Sequence, residues 1–219
     1  MTIEIRPASR RFRTVTEGRE TFHAFSFGGH YDPSNTGFGS LVALNDEHLP
    51  SGTGYDDHPH RDLEIVTWVL EGVLRHTDSA LGTRDLVAGD VLRTSAGSGI
   101  VHSEVSAYDG RTRFLQTWLR PDEPGGVPSL ASTTAPADGL VDVIGDVGLG
   151  TAGARLYLGR ATREVVVPDA PRVHLYVVEG TVGVGDRSLG ADDAARLVDE
   201  GGRRLDVCGG ATLALWALG

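Results

Sequence analysis

The apolar residues of this chain come in short runs of Val, Leu, Ile, Thr and aromatic side chains, and glycine, proline, aspartate or asparagine ends nearly every run. Thirty of the 219 residues are glycine. Sustained three-to-four-residue apolar spacing, the mark of an amphipathic helix, is scarce. The pattern predicts an all-β fold of the sandwich or barrel kind. Strands are expected at 39–44, 63–77, 90–94, 113–119, 155–158, 164–167, 173–178 and 212–217. The stretch "PDEPGGVPSLASTTAPADG" at 121–139 lacks apolar periodicity and reads as a linker or long surface loop. The expected division is therefore a barrel at 1–121, a linker at 122–139 and a second barrel at 140–219.

The two halves resemble each other. "LEIVTWVLEGVLRHTDS" (63–79) and "RVHLYVVEGTVGVGDRS" (172–188) share an aromatic-apolar-apolar-Glu-Gly pattern. Aligning Glu71-Gly72 with Glu179-Gly180 brings "AGDVLR" (88–93) onto "ADDAAR" (191–196), and "LQTWL" (115–119) onto "LALWA" (213–217). Three matches in one order favour a duplicated β-barrel over chance reuse of a hairpin.

Composition removes several kinds of chemistry. All 20 basic residues are Arg, so Schiff-base chemistry and a P-loop are excluded. The single Cys, Cys208, excludes an intrachain disulfide framework and a Cys-rich zinc site, and is expected to be a small buried residue. A formal charge of −10 without a concentrated basic stretch argues against direct nucleic-acid binding. No apolar run approaches the roughly 18–20 residues of a membrane span, and the Arg-rich first residues show no signal-peptide core. A cytoplasmic protein with no membrane partner is expected.

What remains is His, carboxylate, Arg and hydroxyl chemistry, and one constellation concentrates it. "GYDDHPHRDLEIVTWVLEG" (54–72) is followed by "GDVLRTSAGSGIVHSE" (89–104). Residues two apart on a strand share a face, so His58 and His60 project together, as do His102 and Glu104. On facing strands of one barrel they would bring three imidazoles and a carboxylate to one point. That donor set suits a divalent transition metal (Fe, Mn, Co, Ni, Cu or Zn), with Fe(II) favoured, and leaves about two coordination positions open on an octahedral ion. In the second half the aligned positions are Val166, Pro168, Leu205 and Val207, so a metal is expected in the N-terminal barrel only.

These motifs resemble the pirin family of bicupins. The resemblance is carried by Gly-x₃-His-Pro-His-Arg-x₂-Glu, by Ser-Ala-Gly-x-Gly-Ile-x-His-Ser-Glu, by "FHAFSFGGHYDPSNTGFGSLVALNDE" (22–47) and by "LQTWLRP" (115–121), close to the bacterial quercetinase-like branch. It is dense over roughly 20–121 and weak beyond. It implies two tandem small barrels of the jelly-roll (double-stranded β-helix) type, iron held by His58, His60, His102 and Glu104, and quercetin 2,3-dioxygenase activity. Glu64, a ligand in many other cupins, is expected beside the site or lining the barrel. Two departures stand out: Leu92 and Thr94 replace a common Gln and Met, and "PSLAS" replaces a Tyr-Glu-Gln stretch. Both would alter substrate preference if they line the pocket.

The expected activity is ring opening of a flavonol-type 3-hydroxy-4-carbonyl aromatic by dioxygen, with Glu104 as general base. The alternative is a metal- or redox-sensing protein that regulates a protein partner without turnover; such a protein would need no substrate-sized cavity at the metal. Trp68 and Trp118 are expected in the core or pocket wall. His23 and His30 are expected to be exposed or hydrogen-bonded, and His48, His76 and His174 to be structural or exposed.

Overall fold

The computed structural model describes all residues, Met1–Gly219. Strands dominate as the punctuation requires, and the helical content is a 3-10 turn at Ala8–Arg10 and a single turn at Ile144–Val147. Two compact units are present. One comprises Phe12–Thr134 with Asp146–Ala152, the other Met1–Arg11, Ala135–Gly145 and Gly153–Gly219.

In the first unit, a seven-stranded antiparallel sheet runs in the spatial order Ser129–Thr134, Asp90–Ser95, Glu64–Glu71, Thr112–Leu119, Leu41–Leu49, Arg19–His23, Phe12–Thr16. A four-stranded sheet holds Gly54–His60, Ile100–Ser106, Val73–Asp78 and Gly82–Val87. Leu49, Val69, Leu74, Leu86, Leu92 and Phe114 form an apolar cluster in this unit.

The second unit repeats the plan. Its six-stranded sheet centres on Ala194–Val198, Arg172–Glu179, Ala211–Leu218 and Arg155–Ala161, and its four-stranded sheet on Val165–Val166, Arg204–Val207, Val182–Val184 and Arg187–Leu189. The repeated Glu-Gly corner has a physical basis. Gly72 and Gly180 both have φ near +80°, at 77° and 88°. A Cβ on Gly72 would come within 2.8 Å of the Arg111 carbonyl, and one on Gly180 within 2.3 Å of the Gly210 carbonyl. Only glycine fits either corner.

The unit boundaries differ from the division read from the sequence. Thr2–Arg6 pairs with Ala194–Val198, so the first strand completes the second unit's sheet. Ser129–Thr134, inside the expected linker, pairs in full register with Asp90–Ser95. Edge strands carry half of their hydrogen bonds to one neighbour only, so they tolerate the polar, weakly periodic sequence that resembled a linker.

The second unit's interior is apolar. Val165, Val167, Val182, Val184 and Leu205 belong to one buried cluster. Val165 and Val167 turn inward while Val166 is 54% exposed, one residue off the expected counterparts Val166 and Pro168.

Candidate metal centre

The ladder between Gly54–His60 and Ile100–Ser106 sets the site. His102 stands opposite His58 on one side and Asp78 on the other, and Glu104 stands opposite His76. Between His102 and Glu104 the register slips, so that Glu104 faces Tyr55. The extra residue is a bulge, and it returns Tyr55 to the face that carries His58, which strict alternation would deny it. Tyr55, His58, His60 and Glu104 all line one cavity of about 300 Å³.

Three imidazoles meet there. Ring centroids lie 4.9 Å apart for His58–His60, 4.4 Å for His58–His102 and 4.8 Å for His60–His102. One ring nitrogen from each falls within 4.8 Å of the others. His58 Nδ1 lies 2.7 Å from the Asp56 carbonyl, which fixes its proton there and leaves Nε2 free to ligate. His60 Nε2 and both His102 nitrogens are buried without a hydrogen-bond partner. Burial, with neighbouring imidazoles adding, pushes His60 down to about 4. Burial likewise brings His102 down to about 4, although Glu104 pulls the other way. Both rings are thus neutral near pH 7, the form a metal requires. Orphaned buried donors on neutral rings are costly unless an ion takes them, so these residues fit a divalent transition metal.

Glu104 adjoins the triad. Burial pushes its carboxyl up, but His76, His102 and Gln116 outweigh burial and hold it at about 2. Gln116 Nε2 donates to Glu104 Oε2 at 2.8 Å, while Oε1 accepts no hydrogen bond and lies 3.7 Å from His76 Nδ1. His76, His102 and Glu104 form a second group with mutually close ligand atoms. Both groups lie in the first unit.

His76 was expected to be structural or exposed. It is fully buried beside the site, with Nε2 3.5 Å from Asp78 Oδ2. The sequence held a signal: His76-Thr-Asp78 has the same two-residue spacing as the other pairs. His23 was expected at the surface or hydrogen-bonded. It is buried and lines the cavity, bonded to Asn45 Oδ1 and Thr14 Oγ1, both at 2.9 Å. His30 reaches the same Thr14 hydroxyl at 3.1 Å.

Aromatic rings form a wall leading to the histidines. His23 stacks on Phe27 at 5.0 Å, Phe27 meets Trp118 at 5.0 Å, and Trp118 meets His60 at 4.9 Å. Trp68 is buried and lies outside the cavity lining. Glu47, absent from the sequence expectations, also lines the cavity. Burial raises its carboxyl to about 7, against hydrogen bonds from Thr21 and Tyr55 and with Glu104 and Asp46 adding repulsion.

Other expectations resolve more simply. Glu64 is buried and accepts a hydrogen bond from Ser95, and it does not line the cavity that His58 and His60 share. Leu92 packs into the apolar cluster, and neither Thr94 nor residues 128–132 line the cavity. His48 Nε2 lies 3.2 Å from Asp46 Oδ1, and His174 is buried in the second unit. Cys208, expected to be buried, is exposed on the short connection before Ala211–Leu218. A larger depression of about 620 Å³ on the second unit contains no histidine.

A pair of cupin-type β-barrels, with imidazoles and a carboxylate gathered inside the first, defines a bicupin. The family profile named Pirin matches residues 5–119. The chain belongs to the pirin family. A Mycobacterium tuberculosis H37Rv protein with the provisional name quercetin 2,3-dioxygenase is 37% identical, covering 99% of this chain and 95% of its own. The Escherichia coli K12 quercetin 2,3-dioxygenase is 39% identical over 58% of this chain and 55% of its own. The crystal structure of the Escherichia coli pirin YhhW with nickel(II) superposes with a TM-score of 0.92 at 29% identity, covering 99% of both chains.

Proposed function

We propose that the protein is a metal-dependent dioxygenase that opens the ring of a flavonol-type 3-hydroxy-4-carbonyl aromatic, with loss of carbon monoxide. His58, His60, His102 and Glu104 would hold one divalent transition metal, with Fe(II) favoured and Ni, Cu, Mn, Co or Zn admissible. The carrying observation is the trio of imidazoles, with His60 Nε2 and both His102 nitrogens orphaned, beside a substrate-sized cavity that His58 and His60 line. A metal bound there supplies a Lewis-acidic, redox-capable centre with open positions for a chelating substrate and dioxygen.

The chain's own residues do the rest. The Asp56 carbonyl fixes the His58 tautomer, and Gln116 aims Glu104. Trp118, Phe27 and His23 give a flat ring an apolar wall and keep water from the reacting face. Glu104, held ionised at about 2 by His76, His102 and Gln116, supplies lasting negative charge and would take the proton of the substrate's chelating hydroxyl. At about 300 Å³ the cavity sits at the lower end of the ~300–1,000 Å³ typical of small-molecule sites. The two fused rings of a flavonol suit that space, and a non-catalytic sensor would not need it.

The test is anaerobic iron loading, then addition of quercetin and oxygen with detection of carbon monoxide. Stoichiometric carbon monoxide supports the dioxygenase. No turnover with any first-row metal removes it and leaves the metal-sensing, partner-regulating reading.

A further inference from the structure

The cavity has two opposed walls. The candidate ligands come from the four-stranded sheet, and the other wall comes from the seven-stranded sheet. On that second wall, neighbouring strands align His23, Asn45, Gln116 and Thr67 in one row of paired residues. Their polar atoms are largely committed to one another. His23 bonds Asn45, and Gln116 donates to Thr67 and Glu104 while accepting from Trp118 Nε1 at 2.9 Å.

Glu47, in the adjacent row, is different. Thr21 Oγ1 and Tyr55 Oη both donate to the same oxygen, Oε2, each at 2.6 Å. Oε1 receives no hydrogen bond from the protein, although the side chain lines the cavity. A carboxylate anchored by two hydroxyls on one oxygen presents the other as a fixed acceptor. Its orientation is locked from both sheets, since Thr21 lies beside it and Tyr55 reaches across from the ligand-bearing strand.

We propose that Glu47 Oε1 accepts a second hydroxyl of the bound substrate, and so selects polyhydroxylated aromatics over those that carry only the chelating hydroxy-carbonyl group. This rests on the dioxygenase reading for where the substrate sits. A ring system chelated beside His58, His60 and His102 faces the opposite wall, and a ring hydroxyl directed there meets the unfilled oxygen. An aromatic without that hydroxyl leaves a desolvated carboxylate oxygen unpaired, which is the costly half of hydrogen-bond specificity.

The experiment runs at about pH 8.5, above the raised Glu47 value of about 7, so that the group is the carboxylate the proposal requires. It is an anaerobic spectrophotometric titration of iron-loaded protein with quercetin and with 3-hydroxyflavone. Both carry the same chelating group, and only quercetin has further hydroxyls. Wild type is expected to bind quercetin about 10–100-fold more tightly, as a charge-assisted hydrogen bond allows. In Glu47→Gln the carbonyl takes the Thr21 and Tyr55 hydroxyls, and the NH₂ replaces the acceptor that faced the substrate. The preference should collapse to within about threefold, with metal content and 3-hydroxyflavone affinity unchanged. A shared loss for both ligands, or an unchanged ratio, overturns the proposal.

Should that variant fail to fold, a series of hydroxyl-deleted flavonols on wild type keeps it falsifiable. Affinity independent of hydroxyl number, or no binding of either probe, overturns it. Carbon monoxide release without hydroxyl selectivity would sink the Glu47 role and leave the dioxygenase. Selectivity without turnover would sink the dioxygenase alone.

Discussion

His58 and His102 stand directly opposite each other on neighbouring antiparallel strands, their ring centroids 4.4 Å apart. With both His102 nitrogens buried and unpartnered and His58 Nδ1 tied to the Asp56 carbonyl, the two rings gain little from each other and much from a shared ion. His58→Ala or His102→Ala should therefore remove more than about 90% of the metal retained after loading and desalting, because the remaining donors no longer enclose an ion. Elemental analysis per chain checks this, with an unchanged far-ultraviolet circular dichroism spectrum showing that the sheets persist. Full metal content in either variant would displace the site.

His76 sits opposite Glu104 in the ladder, so its removal is expected to reach the same centre through that carboxylate. Losing it leaves Glu104 Oε1 without the His76 Nδ1 that lies 3.7 Å away. His76→Ala is expected to weaken metal binding about 10–100-fold, the range for groups that orient a ligand. Gln116→Leu should act similarly through Oε2. Competition with a chromogenic chelator measures both. Retained affinity in the two variants would mean that Glu104 is positioned by its strand alone.

How much of this was legible follows from the range over which each signal acts. The His58/His60 and His102/Glu104 pairs could be read because side-chain alternation on a strand is local. The Glu71-Gly72 and Glu179-Gly180 corners could be read because both need a positive φ where a carbonyl crowds the Cβ position. Tyr55 was hidden by the bulge, which reverses its face only once Gly54–His60 is paired with Ile100–Ser106. Glu47 was hidden because its inward direction is plain from Leu41, Ala43, Asn45 and Leu49, but its partner hydroxyls come from strands distant in sequence. The strand Thr2–Arg6 was assigned to the wrong half because edge pairing is chosen by tertiary structure, and nothing in "TIEIR" names its neighbour.

Gly54 reports on how closely two strands approach at the site. A Cβ there would lie 2.1 Å from the Glu104 carbonyl oxygen and 2.5 Å from Val105 Cα. Both are backbone atoms that cannot rotate away. Gly54→Ala should cost about 1–3 kcal/mol and weaken metal binding as well, since relief requires the Glu104 strand to move. Gly52→Ala is the control: its φ of 70° is unfavourable for alanine, but nothing lies within 4 Å. It should cost about 1 kcal/mol with metal affinity unchanged. Thermal denaturation of metal-free protein and a chelator competition separate the two effects.

Asp46 and Glu47 are adjacent but point to opposite faces of the sheet, and their carboxyls shift in opposite directions. Burial raises Asp46, but His48 and the bidentate Arg113, at 2.9 and 2.7 Å, overcome it and hold the carboxyl far below its usual 3.8. Its stabilisation is present above pH 3.8 and is lost as pH falls through the native value. Asp46→Ala should cost about 3 kcal/mol at pH 7, by stranding Arg113, and less as the solution is acidified.

Glu47 has the reverse sign. Its native carboxyl is raised from 4.5 to about 7, so the folded protein binds the proton more tightly than the unfolded chain. Stability from this group is complete below pH 4.5 and falls as pH rises through about 7. Glu47→Gln in metal-free protein should therefore be more stable than wild type at pH 8 by on the order of 1–3 kcal/mol, seen as a higher melting temperature. At pH 4 that gain should vanish. A pH series of melting curves for the two variants and wild type tests both signs at once. A Glu47→Gln gain that does not depend on pH would mean that the carboxyl is not held protonated by its cavity.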